Sequence, residues 1–521
     1  MKNIFFFLAG LALPVSLHAQ FYPASSALLQ SGIIHGTERE RHYSMRMQAL
    51  GTDFSGYIDD GITDLYRNPV FFHRMQHGLL FGELVRQRRT SLRLPALDTR
   101  ALVISSALPL SQAGRGSGMG LLLRGNYAKF PLHTENIREL PNSYSSDITS
   151  RENLNGWAEA QVAWGFSLFN QFSAGVSYTY GRNEGRDERE SLEADYSNRS
   201  FSSGNTIVTE SQNFSLQNLG HTDQSHILRF GLLREKASGS SWDAVTTVEL
   251  FSATPERTLL DQNYERESIN SPYLFDENVI WYDYSNTADL NSTNLRLDFR
   301  YRHSSSATRS MVVQLGAGVT WFSSEDSEIY WTDSRAYRAT AFDTTDFAYS
   351  TRTMLAAAPG GFGFQMKGGL GWNFEQNNFL FAIATLASYQ RLSYDDMAYE
   401  ESLYERPPFP LFTNSILYNF VSYQYRLALP LGMEYQTTKK LSLRAGWVAL
   451  FRGETLEQSS NELGETGTRE ATSRTSSQRL DVSTVTFGMG YQIFDQLRAD
   501  LLNFGNLSQP QDWSLSVIYS F

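Results

Sequence analysis

Large apolar side chains recur at every second position along the C-terminal stretch. Trp513, Leu515, Val517, Tyr519 and Phe521 fall on one face of an extended strand and Ser514, Ser516 and Ser520 on the other, with Ile518 the exception. A period of two places successive side chains on opposite sides of a sheet. The pattern recurs from Tyr423 to Tyr435, where Leu427, Leu429, Leu431 and Met433 oppose Gln424, Arg426 and Glu434, with tyrosines at both ends of the row. Leu295, Leu297, Phe299 and Tyr301 face away from Arg296, Asp298, Arg300 and Arg302. Four charges on one face exclude a dry protein core on that side.

A soluble β-sandwich could also set apolar against polar faces. Length and spacing separate the two architectures. The alternating runs extend over roughly 10–15 residues, enough to cross a hydrocarbon layer at a tilt, where soluble strands average about 5–6. They come in pairs joined by short turns such as 169–171, 236–241, 304–308, 375–378, 437–440 and 494–496. Between pairs lie long polar segments, 183–224, 253–291, 324–361, 393–420 and 454–481, which this reading assigns to loops. Short turns at one rim, long connections at the other and aromatic girdles describe an all-β, closed transmembrane antiparallel barrel of the outer-membrane kind, with no unpaired edge in lipid. Candidate strands fall near 79–87, 100–110, 118–130, 155–168, 171–182, 225–235, 240–252, 292–303, 309–323, 362–375, 378–392, 422–437, 440–453, 482–494, 496–504 and 512–521. The count is fourteen or sixteen, depending on whether 79–110 belongs to the wall. Pro430 cannot donate to a ladder and predicts a bulge, and Gly368-Gly369 a bent or crowded strand.

Composition closes off other classes. The 521 residues carry 44 Lys+Arg against 55 Asp+Glu, a formal charge of −11, and no cysteine. Without cysteine there is no disulfide frame, thiolate metal site or thiol catalysis. Without clustered basic residues, nucleic acid is excluded as the main partner. After residue 20 no run approaches the ~20 apolar residues of a membrane helix. Lys2, the apolar run Ile4–Leu17 and His18-Ala19-Gln20 predict a signal peptide over residues 1–19 and hence export to the cell outer membrane. The remaining organisation is an N-terminal periplasmic or luminal segment over 20–77 and a barrel over 78–521.

Within that N-terminal segment stands Asp59-Asp60-Gly61-Ile62-Thr63-Asp64-Leu65-Tyr66-Arg67-Asn68-Pro69-Val70. This stretch resembles the hatch of the FadL/TodX family of hydrophobic-compound transporters, in which a short acidic helical segment leads into Asn-Pro-Ala before the first strand. Asn68 and Pro69 match; Val70 stands where the family has Ala. The resemblance implies a barrel plugged by its own N-terminus, with Asp60, Asp64, Asn68 and Pro69 in the hatch, that passes small hydrophobic ligands of fatty-acid or aromatic-hydrocarbon type. The residues by themselves leave two other functions open: a diffusion porin for small hydrophilic solutes, and a structural or secretion-associated surface barrel.

Other candidates follow from residue type. Trp281 and the run containing Phe409, Leu411 and Phe412 are apolar islands in polar loops, suited to capturing an apolar ligand or to packing loop on loop. Arg296, Asp298, Arg300, Arg302, Arg426, Glu434 and Arg444 are expected to line the lumen, selecting solutes or pairing with one another and with the hatch. Tyr519 and Phe521 resemble the terminal signal read by the barrel-assembly machinery. His73 and His77 have metal-site spacing without the Glu of a zinc hydrolase, and Gly114–Gly120 lacks the Lys-Ser/Thr of a phosphate loop and reads as a flexible turn. No nucleophile–base pair is nominated, so the expectation is a non-enzyme without metal or cofactor. Its partners would be outer-membrane lipid, lipopolysaccharide and the assembly machinery, and the chain is expected to be a monomer.

Overall fold

A computed structural model describes residues 44–91, 94–110, 116–140, 143–169, 171–200, 206–236, 239–269, 275–287, 289–306, 308–325, 329–339, 344–356, 361–404, 412–464, 467–502 and 514–521. Nineteen strands form one antiparallel sheet. In chain order they are β1 (Leu79–Ser91), β2 (Leu94–Pro109), β3 (Ser117–Leu140), β4 (Ser143–Phe169), β5 (Phe172–Ser200), β6 (Thr206–Glu235) and β7 (Ser241–Ile269). Then come β8 (Phe275–Thr287), β9 (Asp289–Ser306), β10 (Arg309–Glu325), β11 (Ile329–Ala339), β12 (Thr344–Ala356) and β13 (Gly361–Gln376). The last are β14 (Phe379–Tyr404), β15 (Phe412–Gln436), β16 (Leu441–Gly464), β17 (Gly467–Phe494), β18 (Leu497–Leu502) and β19 (Ser514–Ser520).

The wall closes where β1 pairs with β19, Leu79 opposite Ser520 through Val85 opposite Ser514. Closure leaves sixteen strands in the barrel proper. The other three, β8, β11 and β12, belong to an outer tier. Near the turn rim β7 pairs with β9, but from Glu256 outward it pairs with β8. Likewise β14 pairs with β13 up to Tyr394 and with β12 from Met397 onward. Both β1 and β2 are in the wall, which decides for sixteen over fourteen.

The alternation has the physical basis inferred for it. Ser514 and Ser516 are buried toward the lumen while Leu515, Val517 and Tyr519 are exposed outward, and the same holds for buried Arg300 against exposed Leu295 and Leu297. An outward belt containing Leu84, Leu102, Leu121, Trp164, Phe230, Leu297, Trp447 and Leu515 would be untenable in water and is suited to lipid.

Four expectations require correction. The segments assigned to long loops are largely strand: β5 and β6 stay in register from Phe172 opposite Arg234 to Ser200 opposite Thr206, and β16 pairs with β17 out to Gly464 opposite Gly467. Beyond the apolar belt both faces of these strands meet water, so the hydropathy alternation disappears although the backbone ladder does not. Trp281 consequently lies in β8, not in a loop. Pro430 makes no bulge. The β14–β15 register is the same at Ile383 opposite Leu431 and at Leu386 opposite Ala428, with only the two intervening pairs missing, and Pro430 stays opposite Val448 of β16. A missing N–H opens the ladder locally without adding a residue. Finally, Ser117–Gly120 of the presumed flexible turn open β3.

Gly369 is crowded rather than bent. A Cβ there would collide with the Tyr57 hydroxyl, while one on Gly368 would make only an ordinary contact with Leu315.

Candidate functional site

Residues 44–77 occupy the barrel interior. Two short helices, α1 (Met45–Leu50) and α2 (Gly61–Arg67), alternate with 3-10 turns at Thr52–Phe54 and Pro69–Arg74. Elements this short are marginal alone and depend on caps and packing. Ser44 caps α1 by accepting from Met47 N at 3.2 Å, and Asp60 caps α2 by accepting from Thr63 N at 2.9 Å. Asn68 ends α2 and starts the next turn: its Oδ1 accepts from Val70 N at 3.1 Å, and Pro69 takes the first helical position, where no N–H is needed.

Apolar side chains of this segment complete two cores against the wall. Ile62, Leu65, Tyr66, Val70, Phe71 and Phe72 pack with Phe81, Val103, Leu122, Ala163 and Leu233. Met47, Leu50, Phe54, Tyr57 and Ile58 pack with Val312, Ala382 and Ala384 on the facing side. Contact with both β2–β6 and β15–β19 means that the segment bridges the lumen rather than lining one side.

Glycines in the wall make that bridge possible. A Cβ on Gly165 or Gly175 would strike the backbone of Pro69 and Val70, and one on Gly231 would strike Asn68 Oδ1. Gly118 and Gly120 lie in the same way against Phe72, and Gly446 against Leu50. Backbone-to-backbone approach of this kind tolerates no side chain.

Charge fixes the segment in place. Arg300 of β9 is buried, donating from Nε to Asp243 Oδ2 at 2.6 Å and from Nη1 to Asp64 Oδ1 at 3.2 Å and Gly56 O at 3.1 Å. Asp243 of β7 also accepts from Asn68 Nδ2 and Arg67 Nη2, each at 3.1 Å. On the opposite wall, Arg46 donates to Glu434 at 2.8 Å, Arg444 donates to the other oxygen of Glu434 at 2.8 Å and to Asp500 at 2.6 Å, and Arg426 donates to Asp53 at 2.5 Å. Arg302 pairs with Asp59 and donates to Tyr57 O at 3.4 Å. Arg296 and Lys367 both pair with Asp298, wall to wall. Breaking a buried pair by removing one partner costs about 3–5 kcal/mol, since the other charge is left stranded.

Environment perturbs the segment's own titratable groups. Burial opposes the charge of Arg46, yet Glu434 and Asp60 outweigh it and the guanidinium is held more firmly protonated than usual. Burial raises the Tyr57 hydroxyl, with Asp53 adding to the effect, and burial alone raises Tyr66. His73 is lowered, chiefly by burial and further by Arg74, although the contact of its Nδ1 with Val70 O at 2.6 Å and the charge of Glu235 act the other way.

No protein-family model matches the sequence, and no curated protein matches it. Among solved structures, a FadL homologue from Pseudomonas aeruginosa is 12% identical, with 91% of this chain and 96% of that one covered and a TM-score of 0.31. The TodX deltaS2S3 mutant monoaromatic hydrocarbon channel is 11% identical over 92% of this chain and 98% of its own, with a TM-score of 0.34. The siderophore receptor PirA from Acinetobacter baumannii is 10% identical over 85% of this chain and 80% of its own, with a TM-score of 0.23. Identity and superposition are low in each case.

The structure thus brings Asp64, Asn68, Arg300, Arg302, Arg426, Glu434 and Arg444 into contact networks between segment and wall, with Asp60 and Pro69 shaping the segment itself. Arg296 and Asp298 remain within the wall. Phe409 and Leu411 lie outside the described residues, and of Trp281 and Phe412 only the strand positions are described. Tyr519 and Phe521 face outward, their rings stacked at 6.0 Å. His73 and His77 share no helix, because the 3-10 turn ends at Arg74, and among the described residues no three His, Cys, Asp or Glu cluster as metal ligands. Sequence reasoning missed Asp243, Asp500, Tyr57 and Arg46. The legible signal was lumen-face glycine, at Gly165 and Gly175 on adjacent strands, where strand interiors disfavour it.

Proposed function

We propose that the chain is an outer-membrane channel for small hydrophobic molecules, in which residues 44–77 act as a hatch that closes the lumen between passages. The observation that carries this reading is the Asp64–Arg300–Asp243–Asn68 network, a buried polar lock between segment and wall. A permanently open diffusion pore has no use for a segment bonded to both sides of its lumen. Two separate apolar cores and two separate ion-pair networks hold the closed state, so a rearrangement of partners can free one side while the other stays anchored. The apolar outer belt supports an outer-membrane location, and the Asn68-Pro69 turn supports the assignment of 44–77 as hatch. Single-channel recording in planar bilayers tests the proposal. A closed trace with rare brief openings is expected, and a steady large conductance would favour a porin instead.

A further inference from the structure

One carboxyl of the wall meets the hatch without a cation. Glu83 of β1 stands on the lumen face behind outward Leu84, is 4% exposed, and accepts from Gln48 Nε2 of α1 at 3.2 Å through Oε1. Its other oxygen, Oε2, is buried with no hydrogen-bond partner, and among the described residues no ion pair reaches it. Asp243 and Glu434, which also bond to the hatch, each meet two arginines.

Two hydroxyls share its situation. Ser516 of β19 lies directly opposite Glu83 in the pair that closes the wall, and Ser105 of β2 lies opposite Phe81, one row along the same face. Such positions have Cβ atoms about 5 Å apart across the pair and about 7–8 Å apart on the diagonal. Both Oγ atoms are buried without a partner, on residues each 1% exposed. Three oxygens on one face of three adjacent strands thus lie within a side chain's reach of one another, and none bonds another. Their surroundings are apolar on two sides: Phe81 and Val103 pack in the core with Phe72, and Leu502 of β18 packs with Met45 and Ala49 of α1. Arg444 and Arg498 are engaged by Asp500, opposite Ser516 on its far side, at 2.6 and 3.0 Å.

The set is all oxygen and carries one negative charge in a place closed to bulk water. A proton on Oε2 would cancel the charge but leave its O–H without an acceptor, and a water molecule would bond the oxygens but leave the charge. A small cation answers both needs, because carboxylate and hydroxyl oxygens are the ligands that hard cations take. One carboxylate balances one positive charge, whereas a divalent ion would keep an excess charge in a buried site. We propose that Glu83, Ser105 and Ser516 form a site for a monovalent cation of the sodium class, and that the bound ion helps to hold α1 docked. An ion that binds when α1 covers the site, and not when α1 has left it, favours the closed arrangement by mass action. The docked segment is a feature of the structure itself, so the site stands apart from the channel reading.

The test is limited proteolysis within residues 44–77 of the detergent-solubilised full chain, in sodium chloride and in choline chloride at equal ionic strength. Choline is too bulky to sit among three side-chain oxygens. Sodium is expected to slow cleavage saturably, by about tenfold when it stands at about ten times its dissociation constant. Glu83→Gln keeps an acceptor for Gln48 and loses the charge, so the two salts should give one rate. Ser516→Ala should move half-protection to about threefold higher sodium or more, the loss of one hydroxyl ligand. Equal rates in the two salts for the parent overturn the proposal and leave Glu83 a protonated or hydrated carboxyl. So does a sodium effect that persists unchanged in either variant, or protection by calcium with none by sodium. If neither variant inserts, thallium(I) soaked into crystals of the parent decides: anomalous density between Glu83, Ser105 and Ser516 supports the site, and none there overturns it. A steady open conductance in bilayers would sink the channel reading without touching the salt dependence.

Discussion

Asn68 on the hatch and Asp243 on β7 share a hydrogen bond, Asn68 Nδ2 to Asp243 Oδ1 at 3.1 Å, while Asn68 Oδ1 caps Val70 N. One amide thus holds the turn into the next 3-10 helix and ties that turn to the wall. Asp243 is the hub: its two oxygens serve Arg300, Arg67 and Asn68, and it is almost fully buried.

Replacing Asp243 by Asn removes the charge while keeping the shape, which leaves Arg67 and Arg300 to share Asp64 and weakens the bonds from Asn68 and Arg67 to the wall. Loss of about 1.5–3 kcal/mol of docking energy is expected, the scale of hydrogen bonds to a charged group. Openings in single-channel records should become frequent and long, with the barrel's heat-modifiable mobility preserved. Asn68→Ala should give a milder version, about 1 kcal/mol for the lost cap together with its wall bond. If the two variants gate like the parent, the network does not hold the closed state.

The glycine cradle offers a steric test that involves no charge. Gly231→Val would place methyl groups in the space of Asn68 Oδ1, and Gly175→Val in that of the Pro69–Val70 peptide. Valine suits a strand, so the wall should form, whereas the hatch can no longer seat. The expected result is a folded barrel with rapid protease cleavage within residues 44–77 and raised conductance. A Gly82→Val control, where nothing lies within 4 Å of an added Cβ, should leave both unchanged.

The barrel was readable from sequence wherever one face meets lipid and the other the lumen. Leu295 to Tyr301 against Arg296 to Arg302 suffices, because only a greasy exterior and a wet or ion-paired interior can keep both rows. The outer halves of β4–β7 and β14–β17 were not readable, since residues such as Glu190 to Tyr196 are exposed or half-buried on both faces and no period survives. The hatch was legible at Asn68-Pro69, but its partners were not. Asp243 lies in an ordinary-looking row, Asp243, Val245, Thr247 and Glu249, whose pairing with Asn68 spans 175 positions of sequence. Wall glycines carried the missing information, since a lumen-facing position left empty on neighbouring strands marks where another backbone must come close.

Closure of the wall depends on its last residue. Gly78 N donates to Phe521 O at 2.8 Å and Phe521 N to Gly78 O at 2.9 Å, and a Cβ on Gly78 would collide with the Phe521 ring. The β1–β19 seam has only seven paired positions, so this reciprocal pair is a sizeable part of it. Deleting Phe521 is expected to lower the yield of membrane-inserted, heat-modifiable protein. Phe521→Tyr should restore most of it, since the backbone bonds and the outward aromatic ring both remain. Unchanged yield in the deletion would show that neither the seam nor an assembly signal depends on this residue.

Acid should loosen the hatch through His73. Its imidazole is held neutral by burial, with Nδ1 donating to Val70 O, so its value when docked lies below that of an exposed histidine, about 6.5. As pH falls through about 6.5 the released segment takes up a proton that the docked one refuses, and docking weakens until the docked value is reached. Protonation would also place a second cation beside Arg74. Protease sensitivity of residues 44–77 should therefore rise between about pH 7 and pH 5. In His73→Asn, whose amide can still donate to Val70 O, the change with pH should be clearly smaller. Sensitivity that follows pH equally in both proteins would assign the effect to groups other than His73.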